Sequence, residues 1–248
     1  MYEMTFTPRI SEIDINGNVK ITALLDYLQH IAYKHADQLG VGHHQIFHKG
    51  LTWLLLRYTI EIVQYPKFDE EIKVTTWVAE SGSPKYTIRD FEIMDKMNNI
   101  IGKATTSWLL FNYRKRQPVN FKDFWPDFKA EEKRALQDEF LGLQLPEKAK
   151  TLKPLKVRLQ DLDIQQHVNH ISHIHWILEG IPEKIIKQYE LEKLEISYKE
   201  QGYHEDDIFV ETEILKEDNE IVTAAHQITK NKKRKLVSKA ITHWKLNK

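Results

Sequence analysis

Five polar side chains suited to hydrolytic chemistry fall in two short stretches of the chain. Asp161, Asp163, Gln165 and His167 alternate along DLDIQQHVNH, just ahead of an apolar run, and Glu200 follows in SYKEQG. Alternate residues of an extended stretch share a face, so Asp163, Gln165 and His167 are placed to point into one site. The residues after them read as a helix start, where unpaired N–H groups and the helix dipole favour an anion. Hydrolysis of an acyl bond needs a base or nucleophile, an oriented hydrogen-bond donor and a stabiliser for the oxyanion. The segment offers all three, with backbone amides near Asn169 as the oxyanion stabiliser, and Glu200 adds a second carboxylate.

Blander readings compete with this one. An acidic approach to a helix also reads as a capped turn, above all at Asp161. His167, His170, His173 and His175 invite a zinc reading. His170 and His173 share a helical face, but His175 turns away, and neither HExxH nor cysteine spacing is present. No metal and no cofactor is expected.

The elements that must position these residues occur twice. EIDINGNV at 12–19 aligns without gaps on DLDIQQHV at 161–168 (161 − 12 = 149). DEEIKV at 69–74 matches EDDIFV at 205–210, and GKATTSW at 102–108 matches SKAITHW at 238–244, both at one offset (205 − 69 = 136). The first copy is therefore longer between its early segment and its strands, and the extra length is assigned to the loop Gly40–Gly50. Each copy reads as a helix followed by strands. Ile21, Leu24, Leu25, Leu28 and Ile31 keep helical spacing in the first, with Gly40 as the stop; Ile171, Ile174, His175 and Leu178 do so in the second, ended by Gly180 and Pro182. Strands are predicted at Leu51–Val63, Ile72–Ala79, Lys85–Met94 and Ile100–Tyr113, then at Leu194–Glu200, Asp207–Leu215, Ile221–Thr229 and Leu236–Trp244. Their connections are too short for crossover helices, which makes them antiparallel. The class is α+β in two similar halves: residues 1–120, a polar, Pro-containing linker 121–154, and residues 155–248. The halves differ where chemistry would sit. Asn18 occupies the place of His167 and Gln64 that of Glu200, so the first copy carries a neutral amide at each ionisable position.

Composition narrows the partners. Lys plus Arg and Asp plus Glu both total 36 in 248 residues, so no global basic field for nucleic acid exists. The chain has no cysteine, which excludes disulfides and thiolate chemistry. MYEMTFTPRISEIDING resembles neither a signal peptide nor a transit segment, and no apolar run suffices for a membrane span. A cytoplasmic location is the expectation.

At these motifs the sequence resembles the acyl-acyl carrier protein thioesterase family of plant plastids and bacteria. Asp163-Ile-Gln-Gln-His167-Val-Asn-His170 is similar to the family's DxNxHVNN segment, and LEISYKEQG at 194–202 to its LEYRRECG strand. The stretches LLDYLQHIAYKHADQLG and TTSWLLFN carry the likeness into the first half, so that it covers roughly residues 5–245. The resemblance implies two tandem hot-dog folds, each a long helix wrapped by a curved antiparallel sheet, the first acyl-binding and the second catalytic. It implies hydrolysis of fatty acyl-carrier thioesters in fatty acid biosynthesis, with Asp163 and Glu200 as the acidic members and Gln165 and His167 as their partners. Either carboxylate could activate water or attack directly. Gln165 replaces the family's usual Asn, and Gln201 a frequent Cys, which rules out a Cys–His mechanism. The implied partner is an acidic carrier protein, for which Lys232, Lys233, Arg234 and Lys235 form a basic docking turn. An acyl-CoA thioesterase, a hot-dog dehydratase and a non-catalytic acyl-binding protein are the rival readings. One chain already holds both hot-dogs, so a homodimer is allowed but not required.

Overall fold

In the computed structural model, which describes residues 1–151 and 154–247, the chain forms two compact units, Met1–Glu139 and Phe140–Lys248. The first contains β1 (Tyr2–Phe6), α1 (Ile21–Gln38), α2 (His43–Phe47), β2 (Leu51–Ile62), β3 (Ile72–Ala79), β4 (Thr87–Met94), β5 (Ile100–Asn112), β6 (Gln117–Pro118) and α3 (Phe121–Phe124). Its strands pair antiparallel in the order β1-β3-β4-β5-β2, with β6 on β5. The second contains β7 (Lys150–Thr151), β8 (Leu155–Lys156), α4 (His170–Glu179), α5 (Glu183–Gln188), β9 (Tyr189–Tyr198), β10 (Asp207–Glu217), β11 (Ile221–Lys230) and β12 (Lys235–Leu246). Its order is β9-β12-β11-β10, again antiparallel, with β7 and β8 on the far edge of β10.

The repeat is therefore physical. Phe91 faces Ala104 across β4 and β5 as His226 faces Ala240 across β11 and β12. Each helix buries an apolar stripe against its own sheet: Leu24, Leu25, Leu28 and Ile31 in α1, and Ile171, Ile174 and Ile177 in α4. A fully buried Leu or Ile contributes about 1.5–3 kcal/mol, so these stripes fix the helices on the sheets. Among the described residues no helix is long and apolar enough to cross a membrane.

Three expectations change. The extra length of the first copy is not confined to the Gly40–Gly50 loop. Much of it lies in the helix itself, because α1 runs 18 residues and α4 only 10. Gly180 and Pro182 stop α4, whereas nothing interrupts α1 before Gly40. The loop itself winds into α2. Strand β1, which alternates Tyr2, Met4 and Phe6 with Glu3 and Thr5, is additional to the expected strands, and β7 and β8, of two residues each, are too short to show a period; all three pair at a sheet edge. Residues 121–139, expected in the linker, belong to the first unit: Trp77 Nε1 donates to the Lys133 carbonyl at 2.7 Å, and Arg134 Nε meets the fully buried Asp90 carboxylate at 2.9 Å. Leu152 and Lys153 of that linker, and Lys248, lie outside the described residues.

Candidate active site

The site begins with a loop that both units build. In the first unit Asp14 Oδ1 accepts from the Asn16 and Asn18 amides at 2.8 and 2.9 Å, and the Asp14 amide donates to the Asn18 carbonyl. In the second, Asp163 Oδ1 accepts from the Gln165 and His167 amides at 2.8 and 3.3 Å, and its amide donates to the His167 carbonyl. A short acidic side chain that binds backbone amides two and four residues on closes such a loop locally. The tight return needs a left-handed residue, which is Gly17 at φ 78° in one copy and Gln166 at φ 63° in the other.

A second set of hydrogen bonds locks each loop to its sheet. Val19 N donates to the Pro66 carbonyl, and Val168 N to the Gly202 carbonyl at 3.0 Å. The approach at Gly202 is close: a Cβ there would stand 2.7 Å from Val168 Cγ2, so a side chain would push the loop off. Just before it, the Lys199 and Glu200 amides both donate to the Val237 carbonyl at 2.8 and 3.2 Å. Two successive residues opposite one is a bulge, which re-aims the side chain that follows. The same doubling occurs at Val63 and Gln64 on Ile101. Glu200 thus leaves β9 within three positions of the glycine that receives the His167 loop.

The predicted residues fall into two groups. His167 and Glu200 are brought to neighbouring segments. The His167 ring meets Tyr203 edge-on, with centroids 5.2 Å apart, in the position where Lys67 Nζ donates to Asn18 Oδ1 in the first unit. Burial pushes the His167 pKa below its usual value, and the charge of Asp163 opposes part of that shift. Glu200 Oε2 lies 2.9 Å from Lys235 Nζ, at side-chain exposures of 34% and 61%. Asp163 and Gln165 lie in the loop itself. Asp161 does not face the site: it is buried, and it receives the Arg158 amide and guanidinium at 2.8–3.2 Å. It caps the turn, as Glu12 does for Arg9 in the first unit.

The helix start is more occupied than its sequence suggests. Asn169 caps α4 by accepting the Ile171 amide at 2.9 Å, and its carbonyl takes the Ser172 amide. Of the α4 histidines, His173 is buried in the core, His170 is half-buried and His175 is exposed. His173 Nδ1 contacts Ser238 Oγ at 2.9 Å and its ring stacks on Trp176; burial holds His170 at about 4 and His173 at about 3.

Of the four cations expected to form a docking turn, two are engaged. Arg234 folds over the Phe209 ring at 3.5 Å and toward Glu211 at 3.8 Å, and Lys235 pairs with Glu200. Lys232 and Lys233 are exposed. The sequence reading missed Tyr203, and also Lys230, whose Nζ sits 5.1 Å over the Tyr203 ring and 3.5 Å from Asp206. Their signal is the repeat itself, since the place of Tyr203 is held by Lys67, the residue that contacts Asn18 (203 − 67 = 136).

Two helix-on-sheet halves, the second of which places a histidine and a carboxylate where the first has amides, define a tandem hot-dog protein of the α+β class. The chain belongs to the acyl-ACP thioesterase family: the family's N-terminal domain model matches residues 1–126 and its C-terminal domain model residues 145–246. It is 30% identical over 241 residues to oleoyl-acyl carrier protein thioesterase 2, chloroplastic, of Arabidopsis thaliana, covering 90% of this chain and 65% of that one. It is 28% identical over 225 residues to oleoyl-acyl carrier protein thioesterase, chloroplastic, of Coriandrum sativum, covering 83% and 60%. The chain thus spans less than two thirds of the length of these relatives. Two solved structures share its fold. An acyl-ACP thioesterase from Bacteroides thetaiotaomicron superposes with a TM-score of 0.85 at 23% identity, covering 98% of this chain and 96% of that one. The 12:0-ACP thioesterase of Umbellularia californica does so at 0.87 and 22%, covering 99% and 97%.

Proposed function

We propose that the chain hydrolyses fatty acyl-acyl carrier protein thioesters to free fatty acid and holo-carrier protein, using Glu200, His167, Gln165 and Asp163 of the second unit. The observation that carries this reading is the paired difference between the halves: His167 for Asn18 and Glu200 for Gln64, on a scaffold whose loop-closing and bulge hydrogen bonds are repeated. In our mechanism Glu200 takes a proton from water. The resulting hydroxide attacks the thioester carbonyl carbon, the C–S bond breaks, and the proton passes to the departing thiolate. His167, kept neutral by burial, and the Gln165 amide orient the water and the carbonyl oxygen. Asp163 serves chiefly as the loop's anchor, because its Oδ1 is committed to two backbone amides. That division of labour favours Glu200 over Asp163 as the base. The Lys232–Lys235 turn receives the acidic carrier.

The test is a thiol-release assay across acyl chain lengths, on acyl-carrier protein and on acyl-CoA in parallel. The chain contributes no thiol background. Release from acyl-carrier protein that disappears in Glu200→Gln is the expected result. Fast release from acyl-CoA alone overturns the carrier assignment, and tight acyl binding without release from either overturns the enzymatic one.

A further inference from the structure

The ion pair between Glu200 and Lys235 joins two parts of the molecule that the proposed function treats separately. Glu200 is the proposed base. Lys235 is the first residue of β12 and the last cation of the basic turn. The contact is 2.9 Å and partly open to solvent, with Lys235 the more exposed partner. The Lys199 and Glu200 amides both donate to the Val237 carbonyl, which places the Glu200 backbone opposite a point two residues along the strand from Lys235.

Both members of this pair differ between the halves. The counterpart of Glu200 is Gln64 and that of Lys235 is Asn99 (235 − 99 = 136). Asn99 turns inward on its own hairpin, where its amide donates to Asp95 Oδ2 at 2.8 Å. One half has two neutral amides at these places and the other has an anion facing a cation. The surrounding turn also changes, from one closed by Asp95 to Asn-Lys-Lys-Arg-Lys at 231–235. Arg234 is drawn back onto Phe209 and Glu211, so the outward cations are Lys232, Lys233 and Lys235.

The Lys235 ammonium, 2.9 Å from Glu200 Oε2, occupies a carboxylate oxygen that the attacking water would otherwise approach. An acidic protein that docks on this turn brings its own carboxylates to Lys235 and competes for it. We propose that Lys235 is a positioning residue that couples docking to chemistry: it restrains Glu200 while the turn is empty, and an acidic carrier releases Glu200 by taking the lysine over. This rests on the reading of Glu200 as the base. The device favours substrates delivered on an acidic protein over the same acyl thioester free in solution. An ion pair of this exposure sets the scale at roughly two- to fivefold.

Hydrolysis of an acyl-pantetheine thioester, which has no carrier to dock, separates the possibilities when compared with acyl-carrier protein. Lys235→Ala is expected to raise turnover of the acyl-pantetheine thioester by roughly two- to fivefold and to lower kcat/KM on acyl-carrier protein. Lys235→Arg, which keeps the pair, restores wild-type behaviour on both. Lys245→Ala removes a cation of the same strand outside the turn and leaves the ratio of the two substrates unchanged. An acyl-pantetheine rate that stays level or falls in Lys235→Ala, while turnover still depends on Glu200, overturns the coupling and leaves the proposed function standing. Turnover that survives Glu200→Gln in full overturns the base assignment and the coupling with it.

Discussion

Ahead of its long helix each half of the molecule builds the same loop, and the two loops differ in which side chains can carry a proton. Asp14 and Asp163 close them with matching pairs of hydrogen bonds, Val19 and Val168 fasten them to the sheet, and Gln64 and Glu200 leave the same bulge. Only then do the halves part. One has Asn18 held by a lysine and a neutral Gln64; the other has His167 against an aromatic ring and an ion-paired Glu200. What is shared is the scaffold, and what differs is the candidate chemistry. A residue kept in both halves needs no catalytic explanation, and by that standard Asp163 is weaker evidence of a site than His167 or Glu200.

The largest effect is expected where the halves differ most. Converting the second unit to the first, by Glu200→Gln or His167→Asn, should lower kcat/KM on acyl-carrier protein by about 10²–10⁴-fold, the range for a lost acid–base group. The chain should still fold, because each replacement is the residue the same scaffold already carries. Ala in place of Gln64 or Asn18 should leave the chemical step within severalfold. A loss from the first-unit variants as deep as from the second-unit ones would erase the distinction between the halves.

The same contrast explains what the sequence discloses. The repeat is legible because register is enforced by backbone hydrogen bonds that tolerate few residue types at Asp14 and Asp163, or at Gly202. Helix α4 is legible from its apolar spacing and its Gly180–Pro182 stop. Contacts between side chains distant in sequence are not: nothing local announces that Arg134 will reach Asp90, that Tyr203 will lie against His167, or that Lys235 will pair with Glu200. The helix-start amides near Asn169 are less available than their sequence suggests for a related reason. A polar N-cap reads equally as a ligand and as a lid on its own helix, and here Asn169 takes the Ile171 amide itself.

A second contrast lies in the cores. The second unit buries His173 against Ser238, and His226 between Thr212 and Thr242 at 3.0 and 2.9 Å, with His170 close by; burial holds these at about 3, 3 and 4. The place of His226 is taken in the first unit by Phe91. A histidine whose folded pKa lies below its unfolded value of about 6.5 stabilises the protein fully above that pH and loses its contribution as pH falls toward the folded value. At pH 5 each such group withdraws about 2 kcal/mol. Hydrogen exchange measured from pH 7 to pH 4.5 should therefore show protection in β10–β12 falling ahead of that in β3–β5, even though His35 of the first unit is also held down, to about 4. Protection that falls in step across both sheets would mean that the buried histidines do not govern acid stability.

The smallest effect decides the role of Asp163. Asp14→Ala and Asp163→Ala each remove an acceptor of two loop amides, and each should cost about 1–2 kcal/mol, read as similar drops in Tm. Asparagine keeps the Oδ1 acceptor, so Asp14→Asn and Asp163→Asn should both retain most of that stability. Activity is then the discriminating measurement. If Asp163 only anchors the loop and lends its charge to His167, Asp163→Asn should cost far less turnover than Glu200→Gln. An equal loss would place the Asp163 carboxylate on the attacking water, and the loop would then be doing in the second half something it never does in the first.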